Sequence, residues 1–320
     1  KTAPLTGNFV FAAFGDNRSD SLAHQEVVNA MLTYTPDFVL NTGDLVYDGK
    51  EITQWNTFFN IEKNLMANSP YMPVVGNHED PEDEECKFYY LFELPGNEKW
   101  YSFDYENVHF IGLDTETNLY GEQRTWLIND LQEVSQNPDI DWKIVFLHRP
   151  PYSSGSHGSQ MDVRNAWCPL FEEYGVDLVF AGHDHDYERT IPINGVIYIV
   201  TGGGGAPLYG VGHSSWTAYS ESTHHFVLVS VEEDTLSLQA IRSNNTLMDT
   251  LILYRICGDI NNDGSVTISD VLYLANYLFG GGPPPLHIST SDVNGDGTVA
   301  FSDLTYLMNY LVGGSPPPEC

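Results

Sequence analysis

Phe38-Val39-Leu40-Asn41-Thr42-Gly43-Asp44-Leu45-Val46-Tyr47 is an apolar run that stops at a Gly-Asp turn and continues into a hydroxyl-bearing ring. Three consecutive large apolar residues suit a strand buried on both faces. A lone Gly-Asp is most often only a turn, so the weight of this stretch lies in its repetition. Phe9-Val10-Phe11-Ala12-Ala13-Phe14 runs into Gly15-Asp16. Met72-Pro73-Val74-Val75 runs into Gly76-Asn77-His78, Ile144-Val145-Phe146-Leu147 into His148, and Asp177-Leu178-Val179-Phe180 into Gly182-His183. Between the first of these, Leu22–Leu32 and Ile52–Met66 read as helices. Strand, polar turn, helix, strand is the pattern of an α/β sheet whose site lies at the carboxyl ends of its strands.

Further along, Val196–Val200, Phe226–Val231, Thr235–Ile241 and Thr246–Tyr254 are strand-like with few helices between them. They suggest a second, mostly antiparallel sheet packed on the first. After Arg255 the composition changes. Residues 257–320 hold no Lys or Arg and seven acids. Within them, Asp259-Ile260-Asn261-Asn262-Asp263-Gly264 returns 33 residues later as Asp292-Val293-Asn294-Gly295-Asp296-Gly297. Each copy leads through Ser-Asp into an amphipathic run and a Gly/Pro-rich break, Gly280–Pro285 and Gly313–Pro318. The expected division is therefore 1–255 for a catalytic domain and 256–320 for a repeat module.

The 320-residue chain carries 44 acids against 13 Lys and Arg, a net charge of -31. Such a surface is repelled by nucleic-acid phosphates, so no nucleic-acid partner is expected. No stretch of about 18 apolar residues exists, so no membrane span is expected. Lys1-Thr2-Ala3-Pro4 shows no apolar signal region, and a secreted protein would have lost it. Cys86, Cys168, Cys257 and Cys320 form no Cys-x-x-Cys pair, which argues against a zinc ribbon or a thioredoxin-type site. An even count suits disulfides in an oxidising compartment. Of three pairings, Cys257–Cys320 is preferred because these residues bracket the repeat, leaving Cys86 with Cys168; four reduced thiols is the alternative.

The strand ends together offer Asp16, Asp44, Tyr47, Asn77, His78, His148, His183 and His185. Carboxylates and imidazoles suit Zn, Fe and Mn. A bridged metal pair clamps the attacking and leaving oxygens of a phosphoryl displacement. As an ordered set, Gly15-Asp16, Gly43-Asp44-Leu45-Val46-Tyr47, Gly76-Asn77-His78-Glu79, His148-Arg149-Pro150 and Gly182-His183-Asp184-His185 resembles the calcineurin-like metallophosphoesterases, over residues 8–255. The superfamily's usual Gly-Asp-x-His has Arg18 at its last position, and Tyr47 stands three residues after Asp44, which resembles the purple acid phosphatases.

The resemblance implies a four-layer α/β/β/α sandwich of two mixed sheets. It implies a first metal, iron, on Asp16, Asp44, Tyr47 and His185, and a second, Zn, Mn or Fe, on Asp44, Asn77, His148 and His183. His78 would contact the phosphate. His157, in a Ser/Gly-rich loop, would help protonate the leaving oxygen. Arg18 would bind a substrate oxygen bidentately or pair with an acid such as Asp20, and Asn77 would touch substrate as well as metal. The implied reaction is hydrolysis of a small phosphomonoester by in-line attack of a metal-bound hydroxide. A phosphodiesterase using the same metals is the alternative, and an inactive scaffold-binding protein is the reading of another class. Gly202–Gly205 fits no P-loop or dinucleotide spacing and reads as a close approach of backbone to the site.

In the repeat, Asp259, Asn261, Asp263, Ser265 (by its backbone) and Asp270 match the spacing of a Ca²⁺ loop. So do Asp292, Asn294, Asp296, Thr298 (by its backbone) and Asp303. With the following helices, Val271–Phe279 and Leu304–Leu311, the pair resembles a dockerin, a small all-α module. That implies two bound Ca²⁺ and a cohesin-type scaffold partner, although Ile268-Ser269 and Phe301-Ser302 stand where dockerins often place small hydroxyl residues.

Overall fold

The structure is a computed structural model, and it describes residues 8–79, 83 and 85–320. In chain order the elements are β1 (Phe9–Phe14), α1 (Ser21–Leu32), β2 (Phe38–Asn41), α2 (Ile52–Met66), β3 (Tyr71–Pro73), α3 (Phe88–Leu91), β4 (Tyr101–Tyr105), β5 (Val108–Gly112) and α4 (Glu122–Val134). There follow β6 (Trp142–Phe146), α5 (Met161–Glu173), β7 (Leu178–Ala181), β8 (Tyr187–Thr190), β9 (Ile197–Thr201), β10 (Thr217–Glu221), β11 (His225–Glu232), β12 (Thr235–Arg242) and β13 (Leu247–Tyr254). The last two helices are α6 (Ile268–Ala275) and α7 (Phe301–Leu311).

Two mixed sheets face each other. The first has the order β13-β12-β11-β1-β2-β3, the second β10-β8-β9-β7-β6-β5-β4. Side-chain alternation explains why the strands read as continuous apolar runs. Phe9, Phe11 and Ala13 of β1 enter the core between the sheets, while Ala12 and Phe14 face the outer layer with Val27, Met31 and Ile61 of α1 and α2. In the second sheet Ile144 and Phe146 point inward, and Val145 points out to Trp167 and Phe171 of α5. The central strands are buried on both faces, which gives helix, sheet, sheet, helix: the four-layer α/β/β/α sandwich. The inner core is rich in rings. Phe11 stacks on Phe38 at 5.4 Å and meets Phe110 edge-on at 5.2 Å.

The late strands do not form a separate antiparallel sheet. β11 pairs antiparallel with β1, Phe9 opposite Val231, and carries β12 and β13 onto the first sheet. β9 instead lies parallel to β7 in the second sheet. The free edge of β1 is what recruits β11, and no local pattern within β11–β13 specifies that partner.

Cys257 and Cys320 are bridged. Cys86 and Cys168 are not, which corrects their expected pairing. Cys86 lies in the core between the sheets, whereas Cys168 on α5 lies in the outer core, with the second sheet between them. The last stretch has its own small core of Ile260, Val271, Leu274, Val293, Leu304 and Leu307. Its first helix is shorter than expected, because α6 gives way to a wider turn over Asn276–Gly280. This part rests against the sandwich. The buried Asp177 carboxylate accepts from Arg255 Nη2 at 2.7 Å and from His287 Nδ1 at 3.1 Å, and Trp142 packs edge-on against His287.

Candidate metal centre

The carboxyl ends of β1, β2, β3, β6 and β7 converge at one end of the sandwich, and each delivers at least one expected residue there. Asp16, Asp44 and His183 adopt left-handed backbone, with φ of 57°, 55° and 70°. Non-glycine residues rarely hold such torsions, and they persist where surrounding structure enforces them, often at functional sites. Gly43 permits the crowding. A Cβ there would lie 2.8 Å from the Gly76 nitrogen and 2.9 Å from His148 Nδ1.

Asp16, Asp44 and His148 are buried, and one ligand atom from each lies within 4.8 Å of the others. Among the described residues this is the one such group of three or more His, Cys, Asp or Glu. The imidazoles are pre-set as ligands. His148 Nδ1 donates to the Thr42 carbonyl at 2.8 Å, and His185 Nδ1 to the Pro207 carbonyl at 2.7 Å. Both rings therefore turn Nε2 inward, at 3.4 Å from Asp44 Oδ1 and from Asp16 Oδ1 respectively. The Asn77 carbonyl oxygen lies 3.1 Å from His148 Nε2. Asp16 Oδ1 is buried with no hydrogen-bond partner. An orphaned carboxylate oxygen beside an inward-turned imidazole nitrogen fits a cation, since no hydrogen bond compensates its burial.

The electrostatics agree. Burial raises the Asp16 pKa, against the opposing influence of the neighbouring His185 and His148. Burial acts the same way on Asp44, but His148, His78 and Arg18 outweigh it and hold that carboxyl below its usual range. His183 is held neutral by burial and by the neighbouring His148 and Arg149. Neutral imidazole is the metal-binding form.

The other expected residues are placed as follows. His78 donates from its backbone N–H to Asp44 Oδ1 at 3.0 Å and from Nδ1 to the Tyr47 carbonyl at 2.7 Å; its Nε2 is 3.9 Å from Asp44 Oδ2. His157 stacks on His183 with centroids 4.2 Å apart. Its loop is tied down by Asp184, which accepts from the backbone N–H groups of His157 and Gly158 at 2.7 and 3.1 Å. Arg18 pairs with Asp44 (Nε–Oδ2 3.0 Å), and its Nη2 donates to His185 Nε2 at 3.2 Å. It does not pair with Asp20, which caps α1. Tyr47 stands beside the cluster, with Arg18 Cζ 5.8 Å from its ring centroid. Its ring is 59% exposed and lies over His78, and its hydroxyl makes no hydrogen bond among the described residues. The Arg18 guanidinium occupies the approach between Asp44 and His185.

Three further residues support the centre without having been singled out. Glu79 is fully buried and accepts from the N–H groups of Asp44, Val46 and Gly76 at 2.9, 3.2 and 2.7 Å, holding two ligand loops together. Burial and the charge on Asp44 push its pKa up to about 8. Arg149, clamped by Glu116 at 2.7 Å, directs Nη1 to within 3.4 Å of His183 Nε2. Tyr209 stacks on His185 at 4.0 Å. Glu79 and Arg149 stood inside the quoted motifs, but only the fold shows what they touch; Tyr209 had no sequence signal. The Gly202–Gly205 segment does approach the site closely. A Cβ on Gly202 would lie 2.2 Å from the Asp184 carbonyl, and one on Gly204 2.3 Å from that of Gly15. His224 and His225 lie beneath this segment, on Gly203 and Thr201, away from the ligands.

The repeat loops have matching hydrogen bonds. Asp259 accepts from Asp263 and Gly264, as Asp292 does from Asp296 and Gly297. Asp270 and Asp303, both fully buried, accept from the N–H groups of Thr267 and Ala300. Asn261 and Asn294 accept from the fifth-position N–H groups, and Asp263 and Asp296 from Ser265 and Thr298.

The family model for calcineurin-like phosphoesterases matches residues 11–187, and that for the dockerin type I domain residues 257–312. An uncharacterised protein of Mycobacterium tuberculosis is 28% identical over 226 residues, 62% of this chain and 43% of its own. Purple acid phosphatase 18 of Arabidopsis thaliana is 33% identical over 255 residues, 70% of this chain and 57% of its own. The chain thus spans about half the length of the curated relatives it matches. A purple acid phosphatase from yellow lupin (Lupinus luteus) seeds superposes with a TM-score of 0.72 at 24% identity, covering 79% of this chain and 55% of that one, which shows a shared fold. With a family-model match over more than half of its length, on strands that carry these ligands, the chain belongs to the calcineurin-like phosphoesterase family.

Proposed function

We propose that this chain is a secreted, metal-dependent phosphoric ester hydrolase of purple acid phosphatase type, acting on small phosphomonoesters. In this reading residues 1–255 are the catalytic unit and 256–320 a dockerin-like, calcium-binding module. The observation that carries the reading is the buried Asp16, Asp44 and His148 group, drawn together where five strand ends meet. Asp16, Asp44 and His185, with Tyr47 as the tyrosinate, would hold one ion, assigned as iron. Asp44, Asn77, His148 and His183 would hold the other, assigned as Zn, Mn or Fe. When bound, the pair supplies Lewis acidity to a phosphoryl oxygen and lowers the pKa of water.

The remaining roles belong to the chain. Asp44, beside His148 Nε2 and His78 Nε2, orients these two rings. His78, whose Nδ1 donates to the Tyr47 carbonyl, presents Nε2 beside Asp44 to a phosphoryl oxygen or to the leaving oxygen. His157, stacked on His183, is placed to protonate the leaving group. Asn77 and Arg18 contact substrate oxygens.

The dockerin-type match and the Cys257–Cys320 bridge favour an extracellular setting. Among the described residues no helix is long and apolar enough to cross a membrane. The same match favours two Ca²⁺ on the repeat loops and a cohesin-type scaffold as partner. The test is to load the protein with iron and zinc and assay a phosphomonoester beside a bis-ester. Preferential turnover of the monoester, lost in Asp44→Asn, together with a visible charge-transfer band lost in Tyr47→Phe, is expected. Preference for the bis-ester would assign a phosphodiesterase. A loaded protein that turns over neither ester would refute the hydrolase reading.

A further inference from the structure

Beside the metal centre lies a cavity of about 340 Å³ between α1 and α2. It shares Arg18 and Tyr47 with the centre. Arg18 reaches from the cavity to Asp44 and His185, and Tyr47 stacks on His78. Its remaining walls mix uncharged polar groups with apolar ones. Leu45 and Val46 come from the segment that follows the ligand Asp44, and Phe58 and Ile61 from α2. The His24 ring lies parallel to Phe58 with centroids 5.7 Å apart, which makes a flat wall.

The charge of this cavity sets it apart. The chain as a whole carries a net charge of -31, yet among the described residues no Asp or Glu lines the cavity, and the one formal charge there is that of Arg18. A cationic group entering it would lose hydration and meet Arg18 and no carboxylate on the described walls. An uncharged ring would gain apolar contact and two aromatic partners, Tyr47 and Phe58. The volume lies at the small end of the range for ligand pockets, on the order of 300–1,000 Å³, and suits one or two rings.

We propose that this cavity is the seat of the organic part of the substrate, and that it selects phosphate esters of uncharged aromatic alcohols. The proposal rests on the hydrolase reading above. With the phosphoryl group at Asp44 and His78, the ester oxygen lies on the Arg18 side and the ring enters between α1 and α2. Contacts remote from the reacting phosphorus then add to kcat/KM for aryl esters alone.

Two exposed residues on opposite walls, Ser21 of α1 and Thr57 of α2, line the cavity without touching the ligands. Ser21→Trp and Thr57→Trp fill it from independent sides, so if one variant fails to fold the other still reports. The measurements are kcat/KM for 1-naphthyl phosphate, phosphocholine and glycerol 1-phosphate with the metal-loaded protein. The expected result is a loss of about tenfold or more for the naphthyl ester in each folded variant, mainly through KM, with glycerol 1-phosphate within about twofold. Phosphocholine should have a higher KM than the naphthyl ester in the unaltered protein. Equal losses on the naphthyl and glycerol esters, no loss on either, or equal KM for phosphocholine and the naphthyl ester would overturn the proposal.

If the unaltered protein turns over none of these esters, the hydrolase reading fails separately. Titration calorimetry with 1-naphthylphosphonate then decides the cavity alone. Weaker binding in the tryptophan variants supports it, and unchanged or absent binding sinks it.

Discussion

Glu79 shows how much of the centre rests on one residue that is not a ligand. Its two oxygens take three backbone N–H groups from the turns that carry Asp44 and Asn77, in a place with no exposure to solvent. Replacing it by Leu leaves those donors unsatisfied, at about 1–3 kcal/mol each. Glu79→Leu should therefore cost about 3 kcal/mol or more in thermal denaturation and reduce metal content measured by atomic emission. Full metal content with unchanged melting would show that the turns hold themselves. The motif Gly76-Asn77-His78-Glu79 was legible as a unit, but the role of its last residue was not, because its three partners come from two separate turns. Tyr47 is the converse. Its spacing from Asp44 is plain in the sequence, while the place of its ring over His78 follows from where Arg18 and His78 lie.

At the scale of elements, the β4–β5 hairpin is fastened to α4 through His109. Its Nδ1 lies 2.5 Å from Asp104 and its Nε2 2.9 Å from Asp130, which also accepts from Ser102 at 2.6 Å. Burial alone would lower the His109 pKa, but Asp130 and Asp104 outweigh it and raise it above 6.5. A group whose pKa is raised on folding stabilises fully below its unfolded value and loses that contribution as pH rises through the folded value. His109→Gln should therefore lower the melting temperature most near about pH 5.5, with the gap closing toward alkaline pH. A gap independent of pH would mean that the ring acts by packing alone. The strands and the first two helices were readable from apolar runs and periodicity. The antiparallel partner of β1 was not, since an eight-residue apolar strand such as β11 pairs as well with any free edge as with β1.

Across the whole molecule, the repeat module is seated on the sandwich by a buried ionic joint. Burial raises the Asp177 pKa, yet Arg255 and His287 outweigh it and hold the carboxyl below 3.8. A depressed pKa stabilises above the unfolded value and loses its contribution only as pH falls through the folded one, so the joint should persist in mild acid. Asp177→Leu removes the shared acceptor and leaves Arg255 and His287 unpaired, at about 3–5 kcal/mol. Limited proteolysis near residue 256 should accelerate in this variant; an unchanged cleavage pattern would show that packing on Trp142 suffices. The Cys257–Cys320 bridge closes a loop with a sequence separation of 63. By chain entropy it contributes about 4 kcal/mol. Cys257→Ser with Cys320→Ser, or Ca²⁺ removal by a chelator, should each lower the melting of residues 257–320 and spare the sandwich. A melt unmoved by chelation would remove calcium from the account of the module.

The sequence by itself determined the ligand types, their order, the two-part division it suggested and the repeated acidic loops. Those are local facts, carried by a turn at a strand end or by spacing within twelve residues. Only the tertiary structure decided that β11–β13 extend the first sheet, that Cys86 and Cys168 lie on opposite sides of the second, and that Arg18 pairs with Asp44. It also decided that Glu79 braces the turns carrying Asp44 and Asn77, that Arg149 reaches His183, and that a cavity lined by no described Asp or Glu opens beside them. Each of these depends on which strand edges and loops meet across the core, and that is settled by packing of the two sheets and by no residue's own neighbours in the chain.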